Sequence, residues 1–514
     1  MDEARRKILR NSVCGLTGAA MMASLDRLNL VNAMVQQNVP DVATDYKALV
    51  CIFLNGGSDC NNMVIPFDDY TVTGGGTTNG YDNVRTASGL AVPKSALTNT
   101  KITPSNTGGV SYAFHPNLSP EANNAGVGPG LLKPWNDGKL AVLCNVGSLV
   151  RPITRAQYGQ AGARPYQLFS HSDQVNQQLT SIANTTGQTG WGGRVADRTN
   201  SLNGTTALPM NISLAGTNLF QTGVSSRQLA IGTGSLAGLL VLNWSGPSIA
   251  NPNTVGSSFR TLLGFDQGTT LIKASTDTTS QALTADTALN QPDPAIPTPP
   301  NTTAFPNTGL GNQLRQIAKL IKIRDAAGIT MKRQIFFCSA GGYDTHTNET
   351  GTDPTNPGGN GTQSGGQGQL LAQLSQAMRA FYDEMVAQGM SNNVTTFTLS
   401  DFGRTLQPSG SGAGSVGTDH AWGGHAFIMG GSVLGGSFVG SLRPDGTGLP
   451  YGYPALQIGG PDDTTSNRGQ WIPTTSIDQY AATLATWYGL APADLPVVFP
   501  NLFRFSTPNL GFLG

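Results

Sequence analysis

Charge and histidine are both scarce in this chain. Asp, Glu, Lys and Arg make up 12% of its 514 residues and the formal net charge is +0. That balance argues against a protein held to nucleic acid by electrostatics, which needs a basic excess. The Gly-rich stretches lack the strand-GxGxxG-helix context of a dinucleotide site. Five cysteines, at positions 14, 51, 60, 144 and 338, contain no CxxC pair, so a disulfide framework is not indicated. Cys51, Cys144 and Cys338 fall in apolar runs where a thiol acts as a small hydrophobe. No apolar run reaches the ~20 residues needed to cross a bilayer as a helix, so no stable membrane span is expected.

What the chain has in abundance is glycine, 66 residues, with Thr, Asn and Ser crowded between apolar runs. This reads as a compact core carrying long, uncharged, polar loops, a surface common in exported proteins. At the N-terminus, Arg5-Arg6-Lys7-Ile8-Leu9-Arg10 precedes a short, weakly apolar run from Asn11 to Leu25. The pattern resembles a twin-arginine signal, and residues 1–40 are expected to be an export signal and leader. Twin-arginine machinery would then deliver a folded, metal-loaded protein to the periplasm or beyond. An amphipathic helix with basic flanks is the plain alternative.

Four apolar runs, 47–54, 139–147, 334–344 and 394–401, suit parallel strands covered on both faces. Residues 370–388 place Leu371, Leu374, Met378, Phe381 and Met385 on one helical face, with Gly389 as a terminator. Residues 313–325 repeat the pattern with Leu314, Ile317, Ala318 and Ile321. Helices alternating with strands predict an α/β fold with a mainly parallel sheet, one domain over 45–514. Polar insertions are expected near 268–309, 350–368 and 408–417, the first as an exposed loop or linker.

The five histidines sit in short polar contexts: His115, His171, His346 two residues after Asp344, His420 directly after Asp419, and His425. Imidazole with carboxylate is the ligand set of zinc and manganese in hydrolytic sites. In three of the four predicted strands a carboxylate follows the strand end: Asp59, Asp344 and Asp401. Open parallel sheets bind ligands outside those ends. Asp344 and His346 at i, i+2 project the same way in extended chain and can reach one ion. Asp401 is a candidate ligand, Arg404 an anion clamp, and one of His420 and His425 should complete the site. Asn62 could donate to an anion. Ser170 and His171 open a predicted helix, where a hydroxyl suits an anion or serves as a nucleophile. An ordinary N-cap serine explains the same residues, and His115, before Pro116, reads as structural.

The ordered set LVCIFLNGGSDCNN, FHPNLSP, KLAVLCNVGS, FSHSDQ, GWGGR, GGYDTH, TLSDFGRT and GTDHAWGGHAF resembles an exported bacterial family, domain-of-unknown-function family 1501. That family is placed in the alkaline phosphatase-like (sulfatase-like) superfamily. The resemblance implies an α/β/α sandwich with two divalent metals near a Ser, Thr or modified Cys nucleophile. Its chain order carries over onto Asp59, Ser170, Asp344 with His346, Asp401, and His420 or His425, with Asn62, His171 and Arg404 orienting the anion. Phe402 departs from it, standing where the superfamily's pattern would place a second His. The expectation is an exported hydrolase of phosphate or sulfate esters, small or on a decorated polymer, using one or two ions. Zinc or manganese is expected, with magnesium or calcium as alternatives. A non-catalytic exported binding or structural protein with a degenerate site is the second reading.

Overall fold

Among the described residues the chain lays down twelve short strands in order: β1 (Lys47–Leu54), β2 (Val64–Pro66), β3 (Lys101–Ile102), β4 (Tyr112–Phe114), β5 (Leu140–Gly147), β6 (Asn211–Ser213), β7 (Gln228–Ala230), β8 (Arg333–Ala340), β9 (Val394–Ser400), β10 (Gly424–Met429), β11 (Phe438–Val439) and β12 (Thr475–Ser476). This computed structural model describes residues 42–514 except 119–129, 234–260, 266–267, 290–303, 327, 351–365 and 413. The expected leader, 1–40, lies outside the described residues. Asp45–Gly514 forms a compact unit of its own.

Nine strands make one sheet in the order β11-β5-β10-β9-β1-β8-β6-β7, with β12 also on β5. Among the described pairs every one is parallel except those of β10, which runs antiparallel between β5 and β9. The central strand β1 reads KALVCIFL and is buried almost throughout. Alternate side chains point to opposite faces. Ala48, Val50, Ile52 and Leu54 join a core with Leu314, Ile317 and Ile321 of helix Gly309–Lys322 and Leu371, Leu374, Met378 and Phe381 of helix Gln367–Ala387. Leu49, Cys51 and Phe53 join a second core with Trp191 and Val195 of helix Trp191–Thr199 and Tyr480, Ala481 and Leu484 of helix Ile477–Tyr488. The result is a mixed α/β architecture, a mostly parallel sheet between two helical layers. The three strands β2, β3 and β4 form a small antiparallel sheet beside it.

The apolar runs locate the long strands to within a few residues. The helix expected over 370–388 spans Gln367–Ala387, with Gly389 in the left-handed region at φ 70° just past its end. One local expectation needs correction. The stretch 268–309 contains helix Thr270–Leu289. Its first half holds Ala, Leu, Thr and Gln and no proline, and the prolines that suggested a loop begin only at Pro292. Cys51, Cys60, Cys144 and Cys338 are free and buried. No helix among the described residues is long and apolar enough to cross a membrane.

Candidate metal centre

The sheet brings several turns to one level. Leu54 at the end of β1 pairs with Ala340 of β8 and Ser400 of β9, so the chain leaves all three strands side by side. Because β10 runs the other way, its first residue, Gly424, lies opposite Val146 near the end of β5. The segment carrying Asp419 and His420 therefore enters at the same edge. Gly56 is the crossing point: its φ is 117°, its amide donates to Asp401 Oδ1 at 3.0 Å, and a Cβ would collide with the Asp344 backbone nitrogen. Only glycine fits that conformation and that approach.

Four polar side chains converge there. Asp344 Oδ1 lies 3.2 Å from His346 Nε2 and 3.4 Å from His420 Nε2, and its Oδ2 lies 3.6 Å from His171 Nε2. His346 Nε2 and His420 Nε2 are 2.9 Å apart. One ligand atom each from His171, Asp344 and His420 fits within a span of 4.8 Å. Tetrahedral ligands bound at about 2.0–2.1 Å stand roughly 3.3 Å from one another, so this spacing fits a divalent cation. The group is open to solvent on one side: the Asp344 side chain is 45% exposed.

Hydrogen bonds behind the rings fix their tautomers. His420 Nδ1 faces the Phe169 carbonyl at 2.9 Å, His171 Nδ1 faces Asp401 Oδ2 at 2.7 Å, and His346 Nδ1 faces Asp419 Oδ1 at 3.0 Å. A carbonyl or an ionised carboxylate only accepts, so each Nδ1 carries the hydrogen and each ring turns its Nε2 towards Asp344. Such backing by a carboxylate or carbonyl is what orients metal-binding histidines. Two lone pairs 2.9 Å apart repel unless a proton or a metal ion lies between them. Burial lowers the His420 pKa, and the Arg404, His171 and His346 charges push the same way against the Phe169 hydrogen bond. That favours the neutral, ligating form. Burial alone would raise the Asp344 carboxyl, but Arg404 outweighs it and holds the group below the ordinary carboxylate range. Asp419 is likewise held low, by Arg468 and His346 against the effect of burial.

The family described as "Protein of unknown function (DUF1501)" matches residues 325–449, which include Asp344, His346, Asp401 and His420. That match supports the family resemblance. No curated protein matches the chain. Among solved structures, the "Crystal structure of Ps i-CgsB in complex with k-i-k-neocarrahexaose" aligns at a TM-score of 0.32 and 9% identity, over 90% of this chain and 78% of that one. A likeness that low carries no argument.

The other expected site residues divide into two groups. Asp401, expected as a ligand, is near the centre but behind His171, and His171, expected to orient an anion, stands in the candidate ligand group instead. Arg404 is fully buried; it donates to the Gly56, Gly57 and Thr418 carbonyls and forms an ion pair with Asp344, which makes it a brace for that carboxylate and not an open anion clamp. Ser170 stands at the N-cap position of the helix His171–Thr180 without a side-chain bond to its first amides, and its hydroxyl donates to Asp173 Oδ2 at 2.6 Å. Asp59, Asn62 and His425 lie elsewhere. Asp59 turns inward to a buried ion pair with Arg85 at 2.5 Å. Asn62 Oδ1 accepts from Tyr81 and Arg85. His425 Nδ1 accepts the Asn145 amide and its ring stacks on Tyr453. Burial lowers its pKa to about 4.

Sequence reasoning missed Asp419 as the partner of His346. The signal was present: neighbours in extended chain point opposite ways, so Asp419 could not share His420's direction. Nothing local announced Arg85 or the Phe169 carbonyl.

Proposed function

We propose that this protein is an exported metal-dependent hydrolase of phosphate or sulfate esters, built on an alkaline phosphatase-like scaffold and working with a single divalent ion. One observation carries the reading: three imidazoles, each with its Nδ1 hydrogen already committed, aim their Nε2 atoms at one carboxylate. His171, Asp344 and His420 would hold the ion, with His346 beside them. Imidazole-rich ligation favours zinc over manganese, magnesium or calcium.

A second ion has poor support. Asp59, its expected holder, is neutralised by Arg85, and Phe402 packs against the His171 and His420 rings, with centroids at 4.9 and 4.6 Å. A bound ion would supply Lewis-acid polarisation of an ester oxygen. The chain's own contributions are orientation and proton handling. Asp401, Asp419 and the Phe169 carbonyl hold the rings in register, and Arg404 fixes Asp344. Ser170 precedes His171 directly. Its oxygen would bond to phosphorus or sulfur as the bond to the leaving alcohol oxygen breaks, Asp173 accepting the serine proton and passing a proton to that leaving oxygen. Water would then hydrolyse the serine ester.

Ser170→Ala tests the reading. With one ion bound per chain, the wild type should hydrolyse an aryl phosphate or aryl sulfate, and the variant should keep its ion while turnover falls by about 100-fold or more. Ion binding with no wild-type turnover on either ester would assign the protein to binding instead.

A further inference from the structure

The segment between β5 and His171 is unusual in a chain of balanced charge. From Gly138 to Ser172 it carries Lys139, Arg151, Arg155 and Arg164 and no acidic residue. It is anchored through a small separate core: Leu149, Ile153, Tyr158 and Ala163 pack with Trp422, Ile472 and Phe505 from elsewhere in the chain, and Leu168 and Phe169 lie against them. A loop anchored by packed side chains is a preformed surface. Arg155 is spent tying it down, donating to the Gly460, Asp463 and Thr464 carbonyls and to Asn467.

Arg151 and Arg164 are not spent in this way. Arg151 donates to Gln160 Oε1 at 3.0 Å, and Arg164 lies over the Tyr158 ring at 5.0 Å; neither has a carboxylate partner among the described residues. Arg164 lines a cavity of about 480 Å³ together with Gln160, Gln167 and Phe169, and Arg151 reaches it only through Gln160. The same Phe169 gives its carbonyl to His420. Its φ of 75°, with 46° at Gln167, is strained backbone at the wall shared by cavity and centre.

We propose that this cavity is a second anion subsite. It binds a sulfate or phosphate ester group on a substrate unit neighbouring the one whose ester lies at the histidine cluster. Arg164 supplies the charge, and the Gln160 and Gln167 amides supply neutral hydrogen bonds. The substrate class is therefore a multiply esterified molecule such as a sulfated or phosphorylated oligosaccharide. This rests on the histidine cluster as the reactive centre, but the test does not depend on metal.

Metal-stripped full-length protein is titrated calorimetrically with a sulfated disaccharide, the corresponding sugar phosphate and the unesterified sugar. The wild type should bind one or both esters and not the plain sugar, and the preferred ester identifies the group. Arg164→Gln should weaken binding about 10- to 100-fold, as loss of a charge-assisted contact does. Arg151→Gln should weaken it less. Lys322→Gln, at the helix end leading to the start of β8, should leave it unchanged. Absence of ester binding by the wild type, or equal binding by Arg164→Gln, overturns the proposal.

Discussion

Two neighbouring strands end in almost the same turn, with opposite outcomes. Gly56-Gly57-Ser58-Asp59 follows β1 and Gly341-Gly342-Tyr343-Asp344 follows β8. Asp59 is 1% exposed, caps the one-turn helix Cys60–Met63 and faces the Arg85 guanidinium. Asp344 opens to solvent among three imidazoles. Around Asp59 the charges are settled within the protein: burial alone would raise its carboxyl, but Arg85 lowers it. Glu349 is driven well above the ordinary carboxylate value, by burial first and then by the Asp59 charge it faces. Around Asp344 Arg404 supplies one cation, and three imidazole Nε2 atoms remain turned towards the same carboxylate. The motif sets a carboxylate at the sheet edge; what faces it decides between scaffold and site.

That contrast can be broken most severely at Asp344. Asp344→Ala should abolish tight retention of zinc or manganese, read as metal content after gel filtration, while thermal unfolding of the metal-free protein changes little. Asp59→Ala should do the reverse. It leaves Arg85 buried and unpaired, a loss of about 3–5 kcal/mol in denaturant unfolding, with metal content unchanged. Equal metal loss in both variants would erase the distinction between the two turns.

His425 sharpens the comparison through pH. Its folded pKa of about 4 is below the unfolded value near 6.5. Between those values the unfolded chain binds the extra proton, so stability falls as pH drops from about 6.5 to 4, by up to about 3 kcal/mol. Urea unfolding of His425→Gln over that window should show a flatter pH dependence than the wild type; an unchanged slope would remove His425 from the scaffold's charge balance. The smallest effect is expected at Asp401→Asn, which perturbs the acceptor behind His171 without deleting a ligand. Metal affinity should fall by about 10- to 100-fold in competition with a chromogenic chelator, and a value within twofold of wild type would contradict the orienting role.

The long strands and the two long helices flanking β8 were legible because their apolar spacing is a one-dimensional pattern. The residues that meet were legible as types, aspartates just past the ends of β8 and β9 and histidines in short polar stretches. Their division of labour was not. His171 and Asp401 are 230 positions apart, and which of them faces the ion depends on the helix after Phe169 landing against the turn after β9. Arg85 was hidden for the same reason: a lone arginine in YDNVR carries no sign that it will be enclosed beside Asp59. Local sequence specified the donors, and tertiary packing assigned their directions.

Occupancy after cobalt(II) loading of the wild type tests the centre most directly, read by elemental analysis and by the intensity of the visible d–d bands. One cobalt per chain is expected, with bands strong enough for a low-coordinate, imidazole-bound ion that disappear in His171→Ala and His420→Ala. No retained cobalt, two per chain, or bands unchanged in both histidine variants would contradict the account.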